Sequence, residues 1–415
     1  MPLKIAHIIT RLILGGAQEN TLYTCEGLHA RGHQVTLITG PPLGPEGQLL
    51  DRAHQGGYQV IELDCLRRAI HPLHDARGYF HLKRLLAHLD PDIVHTHSAK
   101  AGILGRYAAH ALRQRAAHSC CPAAARFRQA QLAACGRPRI IHTIHGLAFH
   151  PYQNPLLNRL YIAAERHAAL KTDLLISVAD AMTQQALAAG VGRPDQYIRI
   201  FSGLEVKPFL EGISPDRRAQ IRREFDLPTD ALVVAKVARL FDLKGHEYVV
   251  DAAALLAPDH PNAYFLFIGG GKLRHDLERQ IAHRHLTDRF RFTGLVPPSR
   301  IPELLHASDL LVHASLREGL ARTLPQALLC GLPAISFDVD GAREVVRHHE
   351  TGLLIPPKDT NALAKALHQL LSNPTLRHQL GQTGQKLCQK EFDHHLMVDR
   401  IEKVYQQQTT RFPAS

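Results

Sequence analysis

LVVAKVARLFDLKGH, residues 232–246, runs from an apolar stretch that reads as a buried strand into two cations, Arg239 and Lys244, set five residues apart. Its first part, 232–238, opens a series of strand-like segments at 263–268, 289–292, 309–312, 333–336 and 352–355, with helical stretches between them. An earlier series at 4–10, 34–39, 59–63, 92–96, 139–143 and 173–178 shows the same alternation, with helices expected notably at 17–31 and 155–171. Strands alternating with helices from end to end predict parallel α/β architecture. Two series predict two Rossmann-like, doubly wound domains, each a twisted sheet covered on both faces.

Gly203, Pro208, Gly212 and Pro215 interrupt the pattern between the series. The expected divisions are therefore 1–205, 206–390 and a tail, 391–415, whose helical stretch covers 391–407. Residues 113–138 fit neither series. They are rich in Ala, Arg and Cys and separate a helix from a strand where a short loop would serve. A loop and an added helix are both open readings of this atypical insertion.

A chain of 415 residues suits two ordinary cores, and 45% hydrophobic with 21% charged residues is a soluble globular composition. No apolar run reaches the roughly 18–20 residues of a membrane span. The opening MPLKIAHIIT reads as a first strand and not as a secretory signal, so a cytoplasmic location is expected. Seven cysteines, irregularly spaced, suggest reduced thiols. His118, Cys120, Cys121 and Cys135 lack the paired spacing of a metal site and read as surface residues.

Charge is uneven. Residues 1–205 hold 22 Lys and Arg against 14 Asp and Glu, hence +8, and the remainder 27 against 24, hence +3. Nine Lys or Arg and no acid lie between Asp92 and Glu165. Such a field suits an anionic membrane surface or a solvated basic face. No nucleic-acid-binding module is recognisable, so no nucleic-acid partner is expected.

Several motifs carry chemistry. Fixed cations at Arg239 and Lys244 could hold a diphosphate, while Glu318 and Gln326, eight apart, could hold sugar and ribose hydroxyls. Gly15 and Gly16 sit between the first strand and first helix, where backbone N–H groups can approach an anion. His97, in DIVHTHSAK, and His145, in HTIHGL, follow strands and could position an acceptor or relay a proton. Taken singly, each motif is an ordinary turn, cation pair or structural histidine.

Their order is not ordinary. The GlyGlyAlaGln loop (15–18), the HisGly at 145–146, Arg-x₄-Lys at 239–244, GlyGlyGly at 269–271 and SLREGLARTLPQALLCGLP (315–333) together resemble the family-4 retaining glycosyltransferases. TGLLIPPKD (351–359) continues the likeness, which covers nearly the whole chain outside 113–138. The resemblance implies the GT-B fold, with two Rossmann-like domains facing a cleft and a C-terminal helix returning to the first.

It implies a nucleotide diphosphate sugar, UDP-linked by analogy, as donor substrate, with no cofactor and no metal. Catalytic roles would fall on Glu318, His145, Arg239 and Lys244. Donor binding would add Gly16, Leu295, Val296, Gly319, Leu320, Ala321 and Gln326; Gly15, His97 and His145 would lie on the acceptor side. A lipid-linked or polysaccharide-precursor acceptor, and association with the inner membrane face, are the partner expectations. Gln18, Gly270 and Gln326 depart from the family's acids. These departures keep a catalytically silent nucleotide-sugar binder in view, beside a sugar-nucleotide epimerase of the same fold.

Overall fold

Every strand among the described residues pairs parallel with its neighbours, and the central strands are buried on both faces. In the computed structural model, which describes residues 2–43, 47–120 and 137–410, the chain divides into two units. One is Met1–Gly203 with His394–Ser415, the other Leu204–Asp393. These divisions fall a few residues from those expected at 205 and 390.

The first unit holds β1 (Lys4–Ile8), β2 (Gln34–Thr39), β3 (Gln59–Glu62), β4 (Ile93–His97), β5 (Arg139–Ile144), β6 (Leu174–Ser177) and β7 (Tyr197–Arg199). They pair in the order β3-β2-β1-β4-β5-β6-β7. β4 (IVHTH) and β5 (RIIHTI) are buried at every position, their histidines and threonines included, since helices cover both faces of a parallel sheet. β7 was not foreseen. It is a three-residue edge strand whose Ile198 is 36% exposed, too short to show a period.

One face packs Ile5, Leu37 and Ile141 against Leu22 of helix Gly16–Ala30 and against Met397, Val398, Ile401 and Tyr405 of helix His394–Thr410. Each large apolar side chain buried there contributes about 1.5–3 kcal/mol. Arg31 adds an ion pair to Glu402 at 2.6 Å. This last helix begins at His394, later than the 391 expected. The preceding helix, Pro374–Glu391, closes when Phe392 N–H donates to Cys388 O (2.9 Å), and Phe392 O accepts Leu204 N–H at 2.7 Å.

On the opposite face Ala6, Ile8, Val94 and Ile140 meet Leu82, Leu86, Ala101 and Ala108. Helix Ala99–Cys120 carries Arg106, wholly buried, whose Nη2 donates to Glu165 Oε2 at 2.7 Å and whose Nε donates to Gly102 O at 2.8 Å. The start of the expected insertion is therefore a continuation of this helix, tied down by Arg113 to Asp173 at 2.8 Å. Residues 121–136, with Cys121 and Cys135, lie outside the described residues, as do the side chains of His118 and Cys120.

The second unit pairs β8 (Leu232–Val237), β9 (Ala263–Ile268), β10 (Phe290–Gly294), β11 (Leu310–His313), β12 (Ala334–Phe337) and β13 (Gly352–Ile355) in the order β10-β9-β8-β11-β12-β13. Val234, Phe265, Phe267, Val312, Ile335 and Phe337 anchor its core. No helix among the described residues is long and apolar enough to cross a membrane.

Glu165→Ala strands the Arg106 guanidinium in the interior. It is expected to destabilise the first unit by about 3–5 kcal/mol, read as a lowered urea midpoint followed by a probe in that unit.

Candidate active site

In the second unit the loops after β8, β11 and β12 are hydrogen-bonded to one another. Leu316 N–H donates to Leu243 O at 2.8 Å, which ties the Lys244 turn to the loop carrying Glu318. Gly245, at φ 65, makes that approach possible, because a Cβ there would lie 1.9 Å from Ala314 O. The third loop is tied by Glu318 N–H donating to Asp340 Oδ2 at 2.6 Å and Gly341 N–H to Gly319 O at 3.3 Å.

Lys244 and Glu318, seventy-four positions apart, meet at 2.5 Å between Nζ and Oε1. His313 Nε2 lies 3.5 Å from the same oxygen, and its Nδ1 is 3.2 Å from Ser336 Oγ. Burial by itself would raise the Glu318 carboxyl. The Lys244 charge and hydrogen bonds from His313 and Lys244 outweigh it and hold the group well below the usual carboxylate range. About 21% of the Glu318 side chain remains open to solvent, enough for a ligand to reach it.

Arg239 is exposed at the end of β8, its guanidinium carbon 5.0 Å from the centre of the Phe241 ring. The glycine turn 269–271 lies against it. A Cβ on Gly269, at φ 139, would meet Ala238 O at 2.2 Å, and one on Gly270 would meet Leu295 N at 3.3 Å. Arg239, the glycine turn and Leu295, which is 63% exposed, therefore form one contiguous edge. Val296 beside it is half-buried, Leu320 and Ala321 are buried, and Gln326 is half-buried on helix Thr323–Leu329.

Three participants escaped the sequence reading. His313 and Asp340 hold Glu318 through contacts that no local pattern encodes. Lys236 is wholly buried in β8, and its Nζ has no hydrogen-bond partner among the described residues. Burial, then the Lys244 charge, lowers its amine to about 7. A lysine interrupting the apolar run LVVAKVA was the visible signal.

Gly15, Gly16, His97 and His145 belong to the other unit. Gly15 precedes helix Gly16–Ala30, with Gln18 Oε1 only 2.6 Å from where a Gly15 Cβ would stand. β1 and β4 end side by side, joined by Thr10 Oγ1 and Ser98 Oγ at 2.7 Å. His145 follows β5 and is partly exposed. His97, expected on the acceptor side, is instead fully buried in β4, with Nδ1 3.2 Å from His145 Nε2. Its strand is interior on both faces, and the ring of His145 stands between it and solvent on that side.

Residues 15–200 match the profile of the glycosyl transferase 4-like domain, and 217–387 match glycosyl transferases group 1. The chain belongs to the group 1, family-4-type glycosyltransferases, and is an enzyme of the GT-B fold. It is 27% identical over 409 residues, 97% of this chain and 96% of the relative, to the Escherichia coli UDP-Gal:alpha-D-GlcNAc-diphosphoundecaprenol alpha-1,3-galactosyltransferase. It is 28% identical over 79% of each chain to the putative glycosyltransferase EpsD of Bacillus subtilis. Among solved structures, a glycosyltransferase from Rickettsia africae superposes with a TM-score of 0.79 at 19% identity over 98% of both chains. Anabaena HepE in complex with UDP superposes at 0.77 and 19%, over 98% of this chain and 100% of that one.

Because Glu318 is ionised in the fold well below its usual 4.5, its pairing adds stability that is fully present above that pH and is lost as pH falls through the depressed folded value. Lys244→Met is expected to move the Glu318 carboxyl upward and to shift the acid limb of unfolding to higher pH. A ¹³C carboxyl titration of both proteins checks it.

Proposed function

We propose that this enzyme transfers a sugar from a UDP-linked donor to a lipid-linked or polysaccharide-precursor acceptor in cell-surface glycan biosynthesis, with retention at the anomeric carbon and without a metal. The observation that carries the reading is the Lys244–Glu318 pair at 2.5 Å, with Arg239 on the same loop. It sets a fixed cation for a diphosphate beside a carboxylate acceptor for sugar hydroxyls. The names of the Escherichia coli galactosyltransferase and of HepE with UDP support the nucleotide. The diphosphoundecaprenol acceptor of the former, matched over 97% of this chain, supports a lipid-linked acceptor. The +8 balance of residues 1–205 favours a peripheral site on an anionic inner membrane face.

In this mechanism the bond from the anomeric carbon to the diphosphate breaks first, and Arg239 and Lys244 stabilise the charge that develops on the leaving group. Glu318, held as a carboxylate, accepts hydrogen bonds from the sugar as its ring gains oxocarbenium character. The acceptor hydroxyl attacks from the face the diphosphate leaves, close enough for the departing oxygen to take its proton. Gln326 grips the ribose as a neutral group, and Leu295 and Val296 receive the base through their backbone.

The test is binding and turnover together. UDP is expected to bind in preference to GDP and ADP, and Arg239→Ala to abolish that binding in calorimetry. Transfer from a UDP-sugar to a polyprenyl-diphosphate-linked sugar should persist in EDTA and give an anomeric configuration, read by NMR, equal to the donor's. Binding without turnover would leave a silent nucleotide-sugar binder, and loss of transfer in EDTA would refute the metal-free mechanism. Gln326→Glu makes the ribose contact charge-assisted and is expected to tighten UDP by about 1 kcal/mol, roughly five-fold in Kd.

A further inference from the structure

Three imidazoles form a line through the sheet of the first unit. His7 Nδ1 lies 3.0 Å from His97 Nε2, and His97 Nδ1 lies 3.2 Å from His145 Nε2. The rings are stacked, His7 on His97 at 5.3 Å and His97 on His145 at 5.4 Å between centres. His7 and His97 are wholly buried, and His145 alone is partly exposed. His95, directly opposite His7 in the strand register, stands outside the line. Its Nδ1 is 2.5 Å from Tyr405 Oη and its Nε2 2.7 Å from Thr143 Oγ1.

A nitrogen from each of His7, His95 and His97 falls within 4.8 Å of the others. Holding a cation there would cost one of the two His95 bonds, so the group is better read as a hydrogen-bonded network. A neutral imidazole has one N–H and one lone pair, so a line of neutral rings must point all its protons one way. Protons pointing inward would leave an N–H on His7 Nε2, which is buried and has no partner among the described residues. Protons pointing outward leave only a lone pair there, and a buried N–H without an acceptor is the rarer defect. The outward order puts the proton of His7 on Nδ1, that of His97 on Nδ1, and that of His145 on Nδ1.

We infer that His97, backed by His7, is a positioning residue that holds His145 with Nε2 turned inward as an acceptor and its proton on Nδ1. His145 then meets sugar or acceptor as a hydrogen-bond donor and not as a general base. This rests on the reading of His145 as an acceptor-side residue. Burial lowers His7 to about 3 and holds His97 well below 6.5, so neither takes over a proton from His145. The line is a brace and not a proton wire. It fits a mechanism in which the departing diphosphate, and no side chain, deprotonates the acceptor.

Long-range ¹H–¹⁵N spectra of the full-length, ¹⁵N-labelled protein between about pH 6 and 8 report the tautomer directly, with His145 assigned by its loss in His145→Gln. The expected wild-type spectrum has a protonated Nδ1 and an unprotonated Nε2 at His145. His97→Phe should convert it to the averaged signals of a ring exchanging tautomers and lower kcat about ten- to a hundred-fold. His97→Asn, which restores a donor near the position of Nδ1, should recover both the tautomer and most of the rate. A wild-type His145 protonated on Nε2, or already averaged, overturns the inference, and that spectrum decides even where His97→Phe does not fold. A fixed Nδ1–H tautomer with unaltered transfer in His145→Gln would overturn the role given to His145 while leaving UDP binding at Arg239 intact.

Discussion

Parallel pairing is the constraint on which the rest of this protein depends. A strand that must lie parallel to its neighbour cannot be reached by a tight turn, so the chain crosses over each sheet through a helix and begins every strand at the same edge. The carboxyl ends consequently gather at the opposite edge, where the loops are free to carry side chains that need not pack. Arg239, Lys244, Leu295, Glu318 and Asp340 come from four separate loops of one sheet, and Gly15, Ser98 and His145 from three of the other. The tendency of ligands to bind at the carboxyl ends of the strands in open α/β sheets is thus a consequence of connectivity before it is one of chemistry.

Within that edge, the placement of charge is settled by desolvation. Glu318 stays a carboxylate although most of its side chain is covered, because Lys244 and His313 converge on one oxygen and Asp340 fixes the backbone beneath it. A carboxylate so paired can exchange partners, since any anion arriving beside Lys244 competes for the same cation. Lys236 shows the opposite limit. Buried with its amine unpartnered, it is brought near neutrality by the burial that Lys244 reinforces. Two lysines eight positions apart thus face different environments, one able to meet an anion and the other enclosed by the strand that positions it.

The first unit uses polar burial differently. Its sheet carries His7, His95, His97 and Thr143 on one face, and the C-terminal helix closes over them with Tyr405 bonded to His95. A helix that completes the core of this unit therefore also completes its histidine network. On the other face Arg106 and Glu165 perform a comparable task, joining two helices through charges that neither could bury alone.

Strand-like runs, helical intervals and the two-domain division were legible in the sequence because parallel strands buried on both faces leave continuous apolar runs. The strand ends carrying Arg239, Lys244, Glu318 and His145 were legible for the same reason, helped by the order of the motifs. β7, too short and too exposed to leave a period, was not. Nor was the break at Phe392, which depends on Leu204 lying across it, nor the burial of His97, which the sequence placed against an acceptor. Asp340 and His7 were invisible because each acts through a bond to a residue distant along the chain, Asp340 to the backbone N–H of Glu318 and His7 to a ring ninety positions away. His313 is only five positions from Glu318, and the loop after β11 has to fold back before its ring meets that carboxylate. Local order in the chain determines which elements form and which side chains stand at their ends. Only the pairing of those elements decides which side chains meet, because register and crossover bring together residues whose separation in sequence carries no trace of the contact.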